Sequence, residues 1–126
     1  MPCKTHFRAC LVITVLAWAT RATIIDAGAA ELTFDLHIER GRVAENMSVI
    51  RVKQGDVVRL RWSTDRSIIL HLHGYDIERT IEPGAIGVME FTANATGRFP
   101  VEVHRSFEAG GYAQGEAPLV RIEVYP

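Results

Sequence analysis

Apolar and polar residues alternate along most of this chain with a period of two. Leu32, Phe34, Leu36 and Ile38 alternate with Thr33, Asp35, His37 and Glu39, and Val58, Leu60 and Trp62 alternate with Arg59 and Arg61. Phe99, Val101 and Val103 alternate with Pro100, Glu102 and His104; Val120, Ile122 and Val124 alternate with Arg121 and Glu123. Such a period sends successive side chains to opposite faces of a strand, one face apolar and the other wet. Four more extended segments fit between these: Met47 to Val52, Ser67 to about Tyr75, Ile77 to Ile81, and Ile86 to Thr92 with Met89 and Phe91 toward the core. Turn chemistry separates them at Gly41–Glu45, Gln54-Gly55-Asp56, Ser63–Arg66, Glu82-Pro83-Gly84 and Ala93–Gly97. Arg105 to Ala117, with Gly110, Gly111 and Gly115, reads as a long loop. No stretch keeps a helical period. About seven to eight short strands of this kind predict an all-β fold, an antiparallel Greek-key β-sandwich.

The start of the chain breaks the pattern. Lys4, His6 and Arg8 precede an apolar run from Ala9 to Ala19, and small residues follow, ending in Ala27-Gly28-Ala29-Ala30. This has the form of an export signal, residues 1–30, cleaved near Ala29 or Ala30. A cut after Ala22 and retention as an anchor are the other readings, and the run is short for a membrane span. The domain proper is then 31–126, periplasmic or secreted, with no membrane span after cleavage. Of 126 residues, 14 are basic and 15 acidic; loss of Lys4, Arg8, Arg21 and Asp26 leaves 11 and 14, a net charge of −3. With that mixed charge, and with no basic patch and no phosphate-binding loop, nucleic acid is not expected as a partner. Both cysteines, Cys3 and Cys10, fall in the leader. The domain must therefore rest on its core without disulfides, and it has no thiolate for a metal.

The candidate chemistry lies in Ile68-Ile69-Leu70-His71-Leu72-His73-Gly74-Tyr75-Asp76. On a strand continuing to Tyr75, His71 and His73 point the same way, about 6.5–7 Å apart along the chain. Two neutral imidazoles so placed are half of a metal site. The plainer reading makes them partly buried histidines bonded to Asp76 or Tyr75. His37, on the polar face of its strand, reads as a solvated surface residue, and Glu102 taken alone as a solvated charge or an arginine partner. Tyr75, Phe107 and Tyr112 read as packing residues.

Several of these segments resemble the cupredoxins. Val49-Ile50-Arg51-Val52-Lys53-Gln54-Gly55-Asp56-Val57-Val58-Arg59-Leu60 resembles their paired early strands. His73-Gly74-Tyr75 sits where they place a first copper histidine, and Glu82-Pro83-Gly84, Phe91 and Thr96-Gly97-Arg98-Phe99 resemble their approach to the remaining ligands. The resemblance covers about residues 45–126 and implies a copper-binding fold. A type 1 copper site takes two histidines, a cysteine thiolate and often an axial methionine. Here Val103 or His104 stands in place of the cysteine, and the stretch from Arg105 to Pro118 holds neither histidine nor methionine. Ordinary blue-copper electron transfer is thereby excluded. His71-Leu72-His73-Gly74 is also similar to segments of multicopper oxidases and to the His-x-His strand of copper-zinc superoxide dismutases, but the further histidines of those enzymes are missing.

In the cupredoxin arrangement the His71–His73 strand and the His104 strand are neighbours. The resemblance therefore implies a metal site of His71, His73 and His104, with Glu102 on the face of His104. Such a set suits Cu(II), with zinc as the other candidate. The faces remain open: either Ile68, Leu70 and Leu72 point to the core and the histidines outward, or the reverse. The expected function is copper binding, delivery or support of a periplasmic redox system, without catalysis. A metal-free module that binds a periplasmic protein partner and a small copper redox enzyme are the other readings.

Overall fold

The computed structural model describes residues 28–104 and 117–126. Most of the expected leader and most of the long loop, with Phe107 and Tyr112, lie outside the described residues. Eight strands form: β1 (Glu31–Ile38), β2 (Val49–Lys53), β3 (Val57–Thr64), β4 (Ile68–Leu72), β5 (Ile77–Ile81), β6 (Gly87–Thr92), β7 (Gly97–His104) and β8 (Val120–Tyr125). A single 3-10 turn, Glu45–Met47, is the only helical element among the described residues, so no described helix is long and apolar enough to cross a membrane.

The strands build two sheets, β1-β3-β6 and β2-β8-β7-β4-β5, whose apolar faces meet. Leu36, Leu60, Trp62 and Met89 come from the first sheet and Leu70, Leu72, Val101, Val120 and Ile122 from the second; all are essentially fully buried. The period-two alternation of the sequence creates this core, because each strand offers only one apolar face. The β-sandwich expected from the sequence is present. Its pairing is mixed, however: β1 runs parallel to β3, and β2 parallel to β8. In each case a strand from the N-terminal half lies along a later strand reached by a crossover, which a chain of hairpins does not produce.

The corner after β2 is fixed by one carboxylate. Asp56, 7% exposed, accepts hydrogen bonds from the backbone N–H groups of Lys53 (2.9 Å) and Ala30 (3.1 Å). It thereby ties the start of β1 to the β2–β3 turn. On the adjoining β2–β8 pair, the Tyr125 hydroxyl donates to Glu123, and Arg51 lies against the same carboxylate. These contacts, the hydroxyl first, hold the Glu123 carboxyl below its usual value.

Replacing Asp56 with alanine strands two N–H groups at a nearly buried corner. We expect Asp56→Ala to lower unfolding stability by about 1–3 kcal/mol, read as an earlier urea midpoint with an unchanged slope; an unaltered midpoint contradicts this role.

Candidate metal site

β4 lies between β5 and β7 in the five-stranded sheet, antiparallel to both. Leu70 and Leu72 are buried and Val101 of β7 is buried, so the alternation leaves His71, Glu102 and His104 on the outer face. This decides the question of faces that the sequence left open: the aliphatic set points inward and the histidines outward. Register then assembles a row. His71 is directly opposite Glu78 of β5 and Glu102 of β7, while His104 is opposite Ile69, one diagonal step from His71. Diagonal partners of this kind lie within reach of ring side chains.

β4 ends at Leu72, earlier than the expected strand to Tyr75. His73 belongs to a turn, where its backbone N–H donates to the carbonyl of Pro100 (3.0 Å). The turn needs two left-handed backbone conformations, at Gly74 (φ 87°) and Asp76 (φ 53°). It rests on aromatic rings: a Cβ at Gly74 would come within 2.5 Å of the Phe99 ring, and Tyr75 packs on Phe91 and Phe99 with centroids 4.5 and 4.8 Å apart. Tyr75 is thus a packing residue. Because the chain turns, the His71 and His73 rings approach to 4.2 Å between centroids, closer than a continuing strand allows, and the His104 ring lies 4.9 Å from His71, edge to face.

Each of the three histidines offers a nitrogen, and these donor atoms all lie within 4.8 Å of one another. A closed four-coordinate site with metal–nitrogen bonds near 2.0–2.1 Å needs separations of about 3.3 Å, so ring rotations of about an ångström would close it. Carboxylates surround the rings. Asp76 Oδ1 is 3.3 Å from His71 Nε2, Glu102 Oε2 is 3.0 Å from His73 Nε2, and Glu78 Oε2 is 3.2 Å from His104 Nδ1. Only the Asp76 contact has hydrogen-bond alignment. His71 Nδ1 and His73 Nε2 are buried and without hydrogen-bond partners. Buried ring nitrogens ordinarily find partners, and unpaired ones on two rings with centroids 4.2 Å apart fit a cation. Exposed acid–base pairs contribute about 0–1 kcal/mol each; the apolar inner face, and not this cluster, holds the sheet together.

The structure thus brings together the four residues singled out in the sequence, His71, His73, His104 and Glu102. His37 stands apart on the other sheet, exposed and hydrogen-bonded to Ser63 (2.8 Å). Sequence reasoning missed Glu78. Its signal was its alternation on β5, but only the β4–β5 register brings it beside His71 and His104.

The sequence matches no family model and no curated protein. Solved structures do match. The periplasmic domain of subunit II of cytochrome oxidase from Bradyrhizobium japonicum aligns with a TM-score of 0.56 at 15% identity, over 75% of this chain and 84% of that one. A copper binding protein solved in the apo form aligns at 0.55 and 10% identity, over 76% and 96%. The fold is cupredoxin-like. A chain of a heme-copper terminal oxidase dimer aligns at 0.55 and 18% identity, over 90% of this chain and 77% of that one. The multicopper oxidase mgLAC aligns at 0.57 and 20%, over 77% of this chain; the cupredoxin-like chain spans only 39% of that enzyme. At these identities the likeness is one of fold.

Two variants separate the support of the site from its chemistry. Gly74→Ala forces a Cβ into Phe99 at positive φ and is expected to destabilise the metal-free protein by about 2 kcal/mol or more. His104→Ala is expected to change it by less than about 1 kcal/mol. Urea unfolding of both checks the pair, and a large loss in His104→Ala would give the histidine a structural role instead.

Proposed function

We propose that this chain is an exported cupredoxin-like protein that binds copper as Cu(II) through His71, His73 and His104, with Glu102 as a fourth ligand. Its work is copper binding, delivery or support of a periplasmic redox system. The observation that carries this reading is the convergence of three imidazole nitrogens within 4.8 Å on one sheet face. The donor set supplies the chemistry. Imidazoles with a carboxylate suit Cu(II) and Zn(II), and copper is favoured by the affinity order for such ligands. Three carboxylates, Asp76, Glu78 and Glu102, place negative charge around the rings and favour a divalent cation over a monovalent one. Without a cysteine in residues 31–126, the centre is of the type 2 kind and not a blue one. Names among the fold neighbours, a copper binding protein and multicopper oxidases, support copper over zinc.

A second reading rests on the same contacts. Each histidine already stands beside a carboxylate, so the patch can serve as a polar face for a protein partner with no metal at all. Titration separates the two. The protein is expected to take up one equivalent of Cu(II) with a Kd of micromolar or tighter. At free copper 100 times Kd the folded state gains about 2.7 kcal/mol, a rise in thermal midpoint of about 10–20 °C for a domain this size. His73→Ala should abolish both effects. Wild-type protein with no saturable uptake would leave the metal-free reading standing.

A further inference from the structure

We infer that Asp76 is a positioning residue that holds the His71 ring with its proton on Nε2, so that His71 would bind metal through Nδ1. The inference rests on the proposed metal site and goes one step further, to the atom that binds. The two nitrogens of His71 have opposite surroundings. Nε2 is in hydrogen-bond contact with Asp76 Oδ1 at 3.3 Å, whereas Nδ1 is buried with no partner. A carboxylate only accepts, so the nitrogen facing it carries the proton and the other keeps its lone pair. Glu78 and Glu102 flank His71 across the sheet, but their carboxylate contacts are with His104 and His73.

The backbone supports the same role. Asp76 adopts φ 53°, a left-handed conformation, at the end of the turn after His73. A non-glycine residue there is uncommon, and aspartate tolerates it better than most. The turn carries the chain back beside β4, which brings a carboxylate five residues along the sequence onto the His71 ring. Carboxylates behind ligating histidines fix tautomer and ring orientation, and their loss weakens metal binding about 10–100-fold.

Two measurements on the full-length protein test this. The first needs no metal. Long-range proton–nitrogen correlation spectra at a pH where the histidines are neutral should show His71 protonated on Nε2. Asp76→Gly removes the carboxylate while leaving the left-handed turn unstrained, and it should shift the ring toward a mixture of tautomers. Asp76→Asn, whose amide oxygen still accepts, should keep the wild-type form. The second is Cu(II) titration: about 10-fold weaker binding in Asp76→Gly, the low end of the range for such carboxylates because the Asp76 side chain is fully exposed, with Asp76→Asn closer to wild type. A metal-free His71 protonated on Nδ1, or an Asp76→Gly affinity equal to wild type, overturns the inference. Wild-type protein with the Nε2–H form and no copper uptake contradicts the metal site as a whole, and with it this role of Asp76. The metal-free spectrum tells the two failures apart.

Discussion

Everything at the candidate site follows from the burial of one face of β4 and β7. Leu70, Leu72 and Val101 are withdrawn from water against the opposing sheet. Each such side chain contributes about 1.5–3 kcal/mol on burial, more than a contact among the outward-facing histidines and acids. A strand has only two faces, so fixing the leucines inward fixes His71, Glu102 and His104 outward. The site can therefore hold unpaired polar atoms, because its placement is set by the core behind it.

The second constraint is the turn at Gly74. It ends β4 early, lies on Phe99, and brings His73 close over His71. A flat strand would have spread the two rings apart. The turn and the β4–β7 register together convert a short His-x-His sequence and a distant histidine into one cluster. The result is a polar patch on a sheet face, built on a fold that the structural neighbours share at low identity.

Much of this was legible in the sequence. Period-two alternation located the strands, and the inward Met89 and Phe91 were readable from it. The three histidines and Glu102 were singled out as candidate ligands from ligand chemistry and the cupredoxin resemblance. The facing of β4 was not legible, because Leu70-His71-Leu72-His73 offers a plausible apolar face either way until its neighbours in the sheet are known. Glu78 was invisible for a related reason: its importance comes from register across β4 and β5, which no local pattern encodes. The parallel pairs β1–β3 and β2–β8 were also missed, since alternation gives the faces of a strand but not its direction relative to a partner.

The proposed copper site requires the three imidazoles on this face to bind one ion together. Electron paramagnetic resonance of the protein loaded with one equivalent of Cu(II) tests it most directly. Three shared imidazoles give a single type 2 signal with hyperfine splitting from three nitrogens and no intense blue absorption, and in His71→Ala and His104→Ala that signal is lost or reduced to fewer nitrogens. A signal of solvated copper, or one carrying the same nitrogen splitting after either substitution, would contradict it.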